Sequence, residues 1–196
     1  MTGSDPAIRP MGLYGATVFL LVLLFFVCLM AGSRWVSPTL LLSAIDGSSD
    51  LLTRITVLEL RLPRNLLGIL GGAALGVAGA VMQGVTRNSL ASPGLTGVIA
   101  SAALAVVSLR TLSSPGAMWL PLMALAGGLL GGALTFAIAG RRQLQPERVV
   151  LAGIAVTSLA TALTTGLLLV SGAEAAELYY WLAGSLMGRG WLQLQM

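Results

Sequence analysis

Apolar residues along this chain come in long runs separated by short polar stretches. The first run, Met11 to Ala31 ("MGLYGATVFLLVLLFFVCLMA"), contains no charged group. At about 1.5 Å of rise per residue it reaches across the ~30 Å hydrocarbon core of a bilayer. Arg9 before it and "AGS" after it resemble a signal peptide, but the run exceeds the usual apolar length of one, so it is read as a retained span. Four further runs follow, at about Arg64 to Val85, Leu95 to Leu109, Ala117 to Ala139 and Val149 to Val170. Residues 32–60 are more polar and hold Asp46, Gly47, Ser48, Ser49 and Asp50, a loop composition. After the fifth run, "LYYWLAGSLMGRGW" is an aromatic cluster suited to the headgroup interface. The pattern predicts an all-α membrane protein, a polytopic bundle of about five spanning helices forming a single transmembrane domain over 1–196.

Small residues recur inside these runs. Gly68, Gly72, Gly76, Ala80 and Gly84 fall at every fourth position of the second span. Such a stripe lets a neighbouring helix approach closely, where van der Waals contact replaces the missing hydrophobic drive. Successive members turn by about 40°, so the stripe winds and can meet more than one neighbour. Gly127, Gly128, Gly131 and Gly132 repeat the device in span four, and Gly153, Thr157, Thr161 and Thr165 in span five. Packing is one reading of these glycines, and the lining of a pathway is the other. Their spacing alone does not separate the two.

Composition narrows the chemistry. Only 9% of the 196 residues are charged and 56% are hydrophobic, too few charges to cover a water-soluble globule. The net charge of +4 is carried by arginine alone, placed singly or in pairs at the ends of apolar runs. That is the distribution of topology signals, not of a nucleic-acid surface. Without histidine there is no Ser-His-Asp or Cys-His catalysis, and transition metals lose their commonest ligand. Without lysine there is no phosphate loop of the GxxxxGK[ST] type, so the chain is not itself a P-loop ATPase. The single cysteine, Cys28, lies within the first span and reads as a small apolar side chain. No enzymatic activity, cofactor or metal site is expected.

No ionisable residue sits in the middle of a predicted span, which disfavours a proton-driven pump. Energy for any transport would come from elsewhere. "GRRQLQPER" (140–148) carries three arginines and one glutamate and is assigned to the cytoplasm, with Glu174 and Glu177 on the opposite side. Counting back places the N-terminus with Arg9 inside, and Arg34, Arg54, Arg61 and Arg64 outside, against the usual bias. Arg61 and Arg64 flank Pro63, whose fixed φ suits a helix start. They read either as headgroup anchors or as a docking site for another protein. Gln83 and Asn88, near the end of span two, and the Pro93-Gly94 turn are candidates for a polar pathway. A hydrogen bond from Gln83 to a neighbouring helix, with Asn88 building the turn, is the other reading of the first two.

These residues resemble a known family. "RLPRNLLGILGGAALGVAGAVMQGVTRNSLASPGLTGV", then "ERVVLAGIAV" and "YYWLAGSLMGRGW", are similar to the pattern of the FecCD family of ABC-transporter permeases. That pattern runs R-x-P-R, a Gly/Ala-rich helix, G-A-x-x-Q, and an N-P-L-A-x-P-x-x-x-G turn. Ser89 stands where the family has proline, and "GVIASAA" (97–103) replaces its G-x-x-x-G-A. The resemblance covers the chain from about residue 31 and implies a multi-pass permease subunit of the inner (cytoplasmic) membrane, importing iron–siderophore complexes, haem or cobalamin. It implies a second permease copy or a paired permease, cytoplasmic ATPase subunits, and a periplasmic or surface-anchored substrate-binding protein. Arg61 and Arg64 would face that binding protein. The connection at Gln145, Pro146 and Glu147 would map to the cytoplasmic gate, although an ordinary topogenic loop fits the same residues. Family members have about twice as many helices, so the chain is expected to be an N-terminal half. A secondary-transporter half and a non-transporting assembly subunit are the rival readings.

Overall fold

The computed structural model of the chain describes residues 10–89, 91–113, 116, 118–140, 145–171 and 175–195. Arg9, Arg141, Arg142 and Glu174, used above to orient the chain, lie outside the described residues, as does the side chain of Glu177. The described residues are helical with short connections and divide into two compact units, Met1–Ile69 with Met187–Gln195, and Leu70–Leu186.

The first unit begins with α1 (Pro10–Met30), most of whose side chains are exposed, as a lipid-facing helix requires. Next comes α2 (Pro38–Asp46), where the loop composition of 32–60 had predicted none. Ser37 starts it, its Oγ accepting the Leu40 N–H at 3.3 Å. Pro38 occupies the first turn, and Gly47, at φ 85°, ends it in the left-handed region. Leu41 and Ala44 face inward and join Leu29, Val36 and Val57 in one cluster. The polar stretch 46–50 is therefore a turn between helices and not a long loop.

The second span also starts earlier than its apolar run. Helix α3 (Leu51–Arg54), a π-helical segment (Ile55–Arg61) and α4 (Leu62–Thr86) follow without a break, together 36 residues. Pro63 thus sits inside a helix and not at its start. Proline there removes a backbone donor and crowds the preceding turn. The wider π turn accommodates it, and the Leu62 N–H reaches back to the Val57 oxygen, five residues away.

The second unit contains most of α4, a 3₁₀ turn (Pro93–Thr96), α5 (Val98–Leu112), α6 (Trp119–Ala139), α7 (Pro146–Val170) and α8 (Ala175–Leu182). The expected glycine packing is realised between α5 and α6. A Cβ on Gly127 would overlap Ala105 and the Ser101 carbonyl, and one on Gly131 would overlap the Ser101 side chain. At Gly128 and Gly132 it would lie 3.3 Å from Val98 methyl groups. The small residues of "GVIASAA" are thus the partner surface for the glycines of α6. Helix α7 turns one stripe inward, Val149, Ala152, Gly153, Val156, Ala160, Thr164 and Leu168, at the three- and four-residue spacing of a buried helix face. Beside its far end, Leu178 of α8 joins Leu168 and Val107. With 15 residues, α5 spans only about 22 Å. Among the described residues, four helical stretches are long and apolar enough to cross a membrane, α1, Leu51–Thr86, α6 and α7, and not the five expected.

Candidate functional site

The two arginines of R-x-P-R have different surroundings. Arg61 ends the π-helical segment and is only 8% exposed. Its Nη1 donates to the carbonyls of Leu29 (2.8 Å) and Met30 (2.9 Å), and its Nη2 donates to that of Arg34. Leu29 and Met30 are the last two residues of α1, where helix carbonyls lack intrahelical partners and the macrodipole is negative. Arg61 therefore caps α1. Gly32 makes room for it, because a Cβ there would lie 2.5 Å from Nη2 and 2.8 Å from Cζ. The "AGSRW" stretch and the R-x-P-R motif thus form one lock, although about thirty residues separate them. Capping is a role that sequence reasoning did not assign to Arg61, and it engages the guanidinium with backbone oxygens. Arg64 is half-buried, and neither its Nε nor the neighbouring Asn65 Nδ2 has a hydrogen-bond partner among the described residues.

Gln83 and Asn88 come together at the end of α4. Arg87 adopts φ 49°, the left-handed conformation of a helix terminator, and the Asn88 N–H returns to the Gln83 carbonyl at 3.3 Å. The Gln83 side chain donates onward to the Ser89 carbonyl at 3.1 Å. Both residues build the turn.

Pro93 and Gly94 belong to the 3₁₀ turn that follows, whose carbonyls are met by side chains of its own and of two other helices. Non-helical backbone at membrane depth is tolerated only where protein satisfies its polar groups. Three threonine hydroxyls address carbonyls of this turn. Thr96 Oγ1 donates to Pro93 O at 2.7 Å, and the fully buried Thr135 of α6 donates to Thr96 O at 2.8 Å. Thr157 of α7 makes a longer contact of 3.4 Å to Gly94 O. Gly97 leaves the turn at φ 73°, and a Cβ there would meet Val156 and Thr135. Gly153 lets the backbone of α7 lie directly against Leu95 and Thr96, since a Cβ there would overlap the Leu95 carbonyl. Sequence reasoning singled out Gly153 and Thr157 for packing but missed Thr135 and Gly97. The only local signal was "PGLTG", whose final glycine suggests a left-handed turn exit.

Gln145, Pro146 and Glu147 stand at the start of α7, and all three are exposed. Gln145 is extended (φ −76°, ψ 129°), and its carbonyl accepts from Arg148 N–H at 3.0 Å and Val149 N–H at 3.2 Å. Pro146 fills the first helical position, and Glu147 places its charge at the positive helix end. The stripe of α4 is open. Nothing among the described residues lies within 4 Å of a Cβ built on Gly72, Gly76 or Gly84, and Gly68 is exposed. The close helix contact expected there is not made within the described chain.

Comparisons with known proteins agree with this architecture. The chain is 36% identical over 189 residues to the ferric enterobactin transport system permease protein FepD of Escherichia coli, covering 95% of this chain and 56% of that protein. It is 43% identical over 136 residues to the Fe(3+) dicitrate transport system permease protein FecD of the same organism, covering 69% of this chain and 42% of the other. The vitamin B12 import system permease protein BtuC of Klebsiella pneumoniae is 36% identical over 189 residues, with 93% and 53% covered. Among solved structures, a transporter described as being of metal-chelate ABC type, in an inward-facing conformation, superposes with a TM-score of 0.76 at 26% identity. That match covers 95% of this chain and 57% of the other. The chain spans about half the length of the curated relatives it matches. Its apolar helices make it a membrane protein, and from residue 20 to residue 196 it belongs to the FecCD transport family.

Proposed function

We propose that this chain is part of the permease of an ABC importer that carries a ferric siderophore, or a related chelate such as haem or cobalamin, across the cytoplasmic membrane. The observation that carries the reading is the match to the FecCD transport family over residues 20–196, with relatives that handle iron chelates and vitamin B12. Separate ATPase subunits supply the energy, a second or paired permease completes the pathway, and a periplasmic or surface-anchored binding protein delivers the substrate. The N-terminus is cytoplasmic. Arg64 is the docking arginine of the pair, because its side chain is only half-buried whereas Arg61 is buried and engaged by α1. A carboxylate on the binding protein would pair with its exposed part through the planar fork that arginine offers. The turn bearing Pro93 and Gly94, with Gln83 and Asn88 before it, borders the substrate path, and Gln145, Pro146 and Glu147 form the cytoplasmic gate.

The test is uptake by the assembled transporter in proteoliposomes. A ferric catecholate, a ferric hydroxamate, ferric citrate and cobalamin are offered in turn, with and without ATP. ATP-dependent entry of one of them is expected. Entry driven by an ion gradient, with the ATPase omitted, would overturn the reading.

A further inference from the structure

Pro63 leaves the helical ladder with a missing rung, and the chain supplies it from far away. In the π register the Leu62 N–H serves Val57 O, so the next donor, residue 63, would serve Leu58 O. Proline has no N–H to offer. The indole Nε1 of Trp191 donates to Leu58 O instead, at 2.9 Å across 133 positions of sequence. The preceding residue lies against the neighbouring carbonyl, since a Cβ on Gly190 would sit 3.8 Å from Glu59 O. Glu59 O is the acceptor that residue 63 would serve in an ordinary α register. Gly190 only lies against it, and the one bond supplied to the helix is that of Trp191 to Leu58 O, the acceptor the proline fails in the π register. The pair is itself held, as the Gly190 N–H donates to Gln193 Oε1 at 2.8 Å, fixing the entry into α9 (Trp191–Leu194). Leu58 packs against the cluster of Leu29, Val36, Leu41, Ala44 and Val57, so the acceptor is anchored as well.

We infer that the Trp191 indole replaces the N–H that Pro63 lacks, and that it thereby locks the π register which aims Arg61 at the end of α1. Trp191 is a positioning residue. An unpaired backbone carbonyl in an apolar setting costs free energy, and a helix can escape that cost by changing register. Losing the indole donor would let Ile55–Arg61 relax, and Arg61, the last residue of that segment, would turn with it. The inference stands on bonding inside the first unit and does not depend on the transport reading.

A double-mutant cycle tests it, using the full chain in detergent micelles. Trp191→Phe keeps an aromatic ring and removes the donor, and a lowered thermal midpoint is expected. Pro63→Ala restores a backbone N–H at position 63. That new N–H serves Leu58 O in the π register, and the Leu62 N–H serves it in the α register. In the Pro63→Ala background, therefore, Trp191→Phe should lower the midpoint little or not at all. In the parent chain, the Trp191 indole proton should also exchange with solvent at least tenfold more slowly than that of free tryptophan. Equal losses from Trp191→Phe in both backgrounds, or an indole proton exchanging at the free rate, would overturn the inference. The exchange measurement on the parent chain decides the matter if Pro63→Ala fails to fold.

Discussion

Replacing Arg61 with methionine keeps a long apolar stem of similar reach and removes every donor from the end of α1. Three hydrogen bonds from a charged group, at about 1.5–3 kcal/mol each, give a gross loss of about 5–9 kcal/mol. Not all of it will be felt. Met30 O keeps its bond from the Val36 N–H at 3.0 Å, and Arg34 lies in an exposed turn where water can replace the guanidinium. Leu29 O belongs to a residue only 5% exposed and is left unpaired. The expected net cost is about 1–3 kcal/mol, the penalty for leaving one buried neutral acceptor without a partner. Arg61→Lys should recover only part of this, because a single ammonium cannot reach three carbonyls as a rigid fork does. Unfolding free energy in mixed micelles measures the loss. Gly32→Ala supplies the control: its methyl must displace the guanidinium, at about 1–3 kcal/mol for an overpacked site. That penalty should vanish in the Arg61→Met background, since the two residues share one contact. Additive penalties from Gly32→Ala and Arg61→Met would refute the capping argument. So would an unchanged unfolding free energy in Arg61→Met combined with lost docking of the binding protein.

Gly153→Ala drives a methyl into the Leu95 carbonyl and should destabilise the second unit by about 1–3 kcal/mol, read as earlier thermal unfolding and faster amide exchange at 93–97. Gly76→Leu separates two settings. In this chain alone it meets open space and should leave the thermal midpoint unchanged, whereas in the assembled transporter a lowered midpoint would locate a helix on that face. The Ser48 hydroxyl and N–H, both donating to Asp46 Oδ1 (2.6 and 2.9 Å), hold the Asp46 carboxyl below its ordinary value of 3.8. This local stabilisation is fully present above pH 3.8 and is lost as pH falls below that value through the folded pKa. Exchange of the Ser48 amide should therefore gain protection as pH rises through this window, beyond the intrinsic rate change, and Asp46→Asn should abolish that gain.

The sequence by itself determined the membrane class, the approximate places of the long apolar helices and the family, because each rests on local or contiguous information, whereas the start of the second span and the shortness of α5 emerged only in the fold. An uncharged run of twenty residues must be helical and embedded in lipid, since no other backbone conformation satisfies its own polar groups there. Proline at position 146 and glycine at position 47 punctuate helices through their own backbone preferences. The glycines of α6 announced a close helix contact, and α5 provides it. The same spacing in α4 announced another contact that the described chain does not make, because small-residue spacing records permission to approach and not the presence of a partner. Tertiary structure alone decided the rest. Arg61 finds its acceptors 27 to 32 residues back, Thr135 reaches the 3₁₀ turn across 39, and Trp191 completes the ladder at Leu58 across 133. An arginine beside a proline at the mouth of an apolar run looks the same in sequence whether it faces water, lipid headgroups or a helix end. Only the fold that brings the carbonyls of α1 within about 3 Å distinguishes them, because a hydrogen bond depends on where atoms meet in space and not on their distance along the chain.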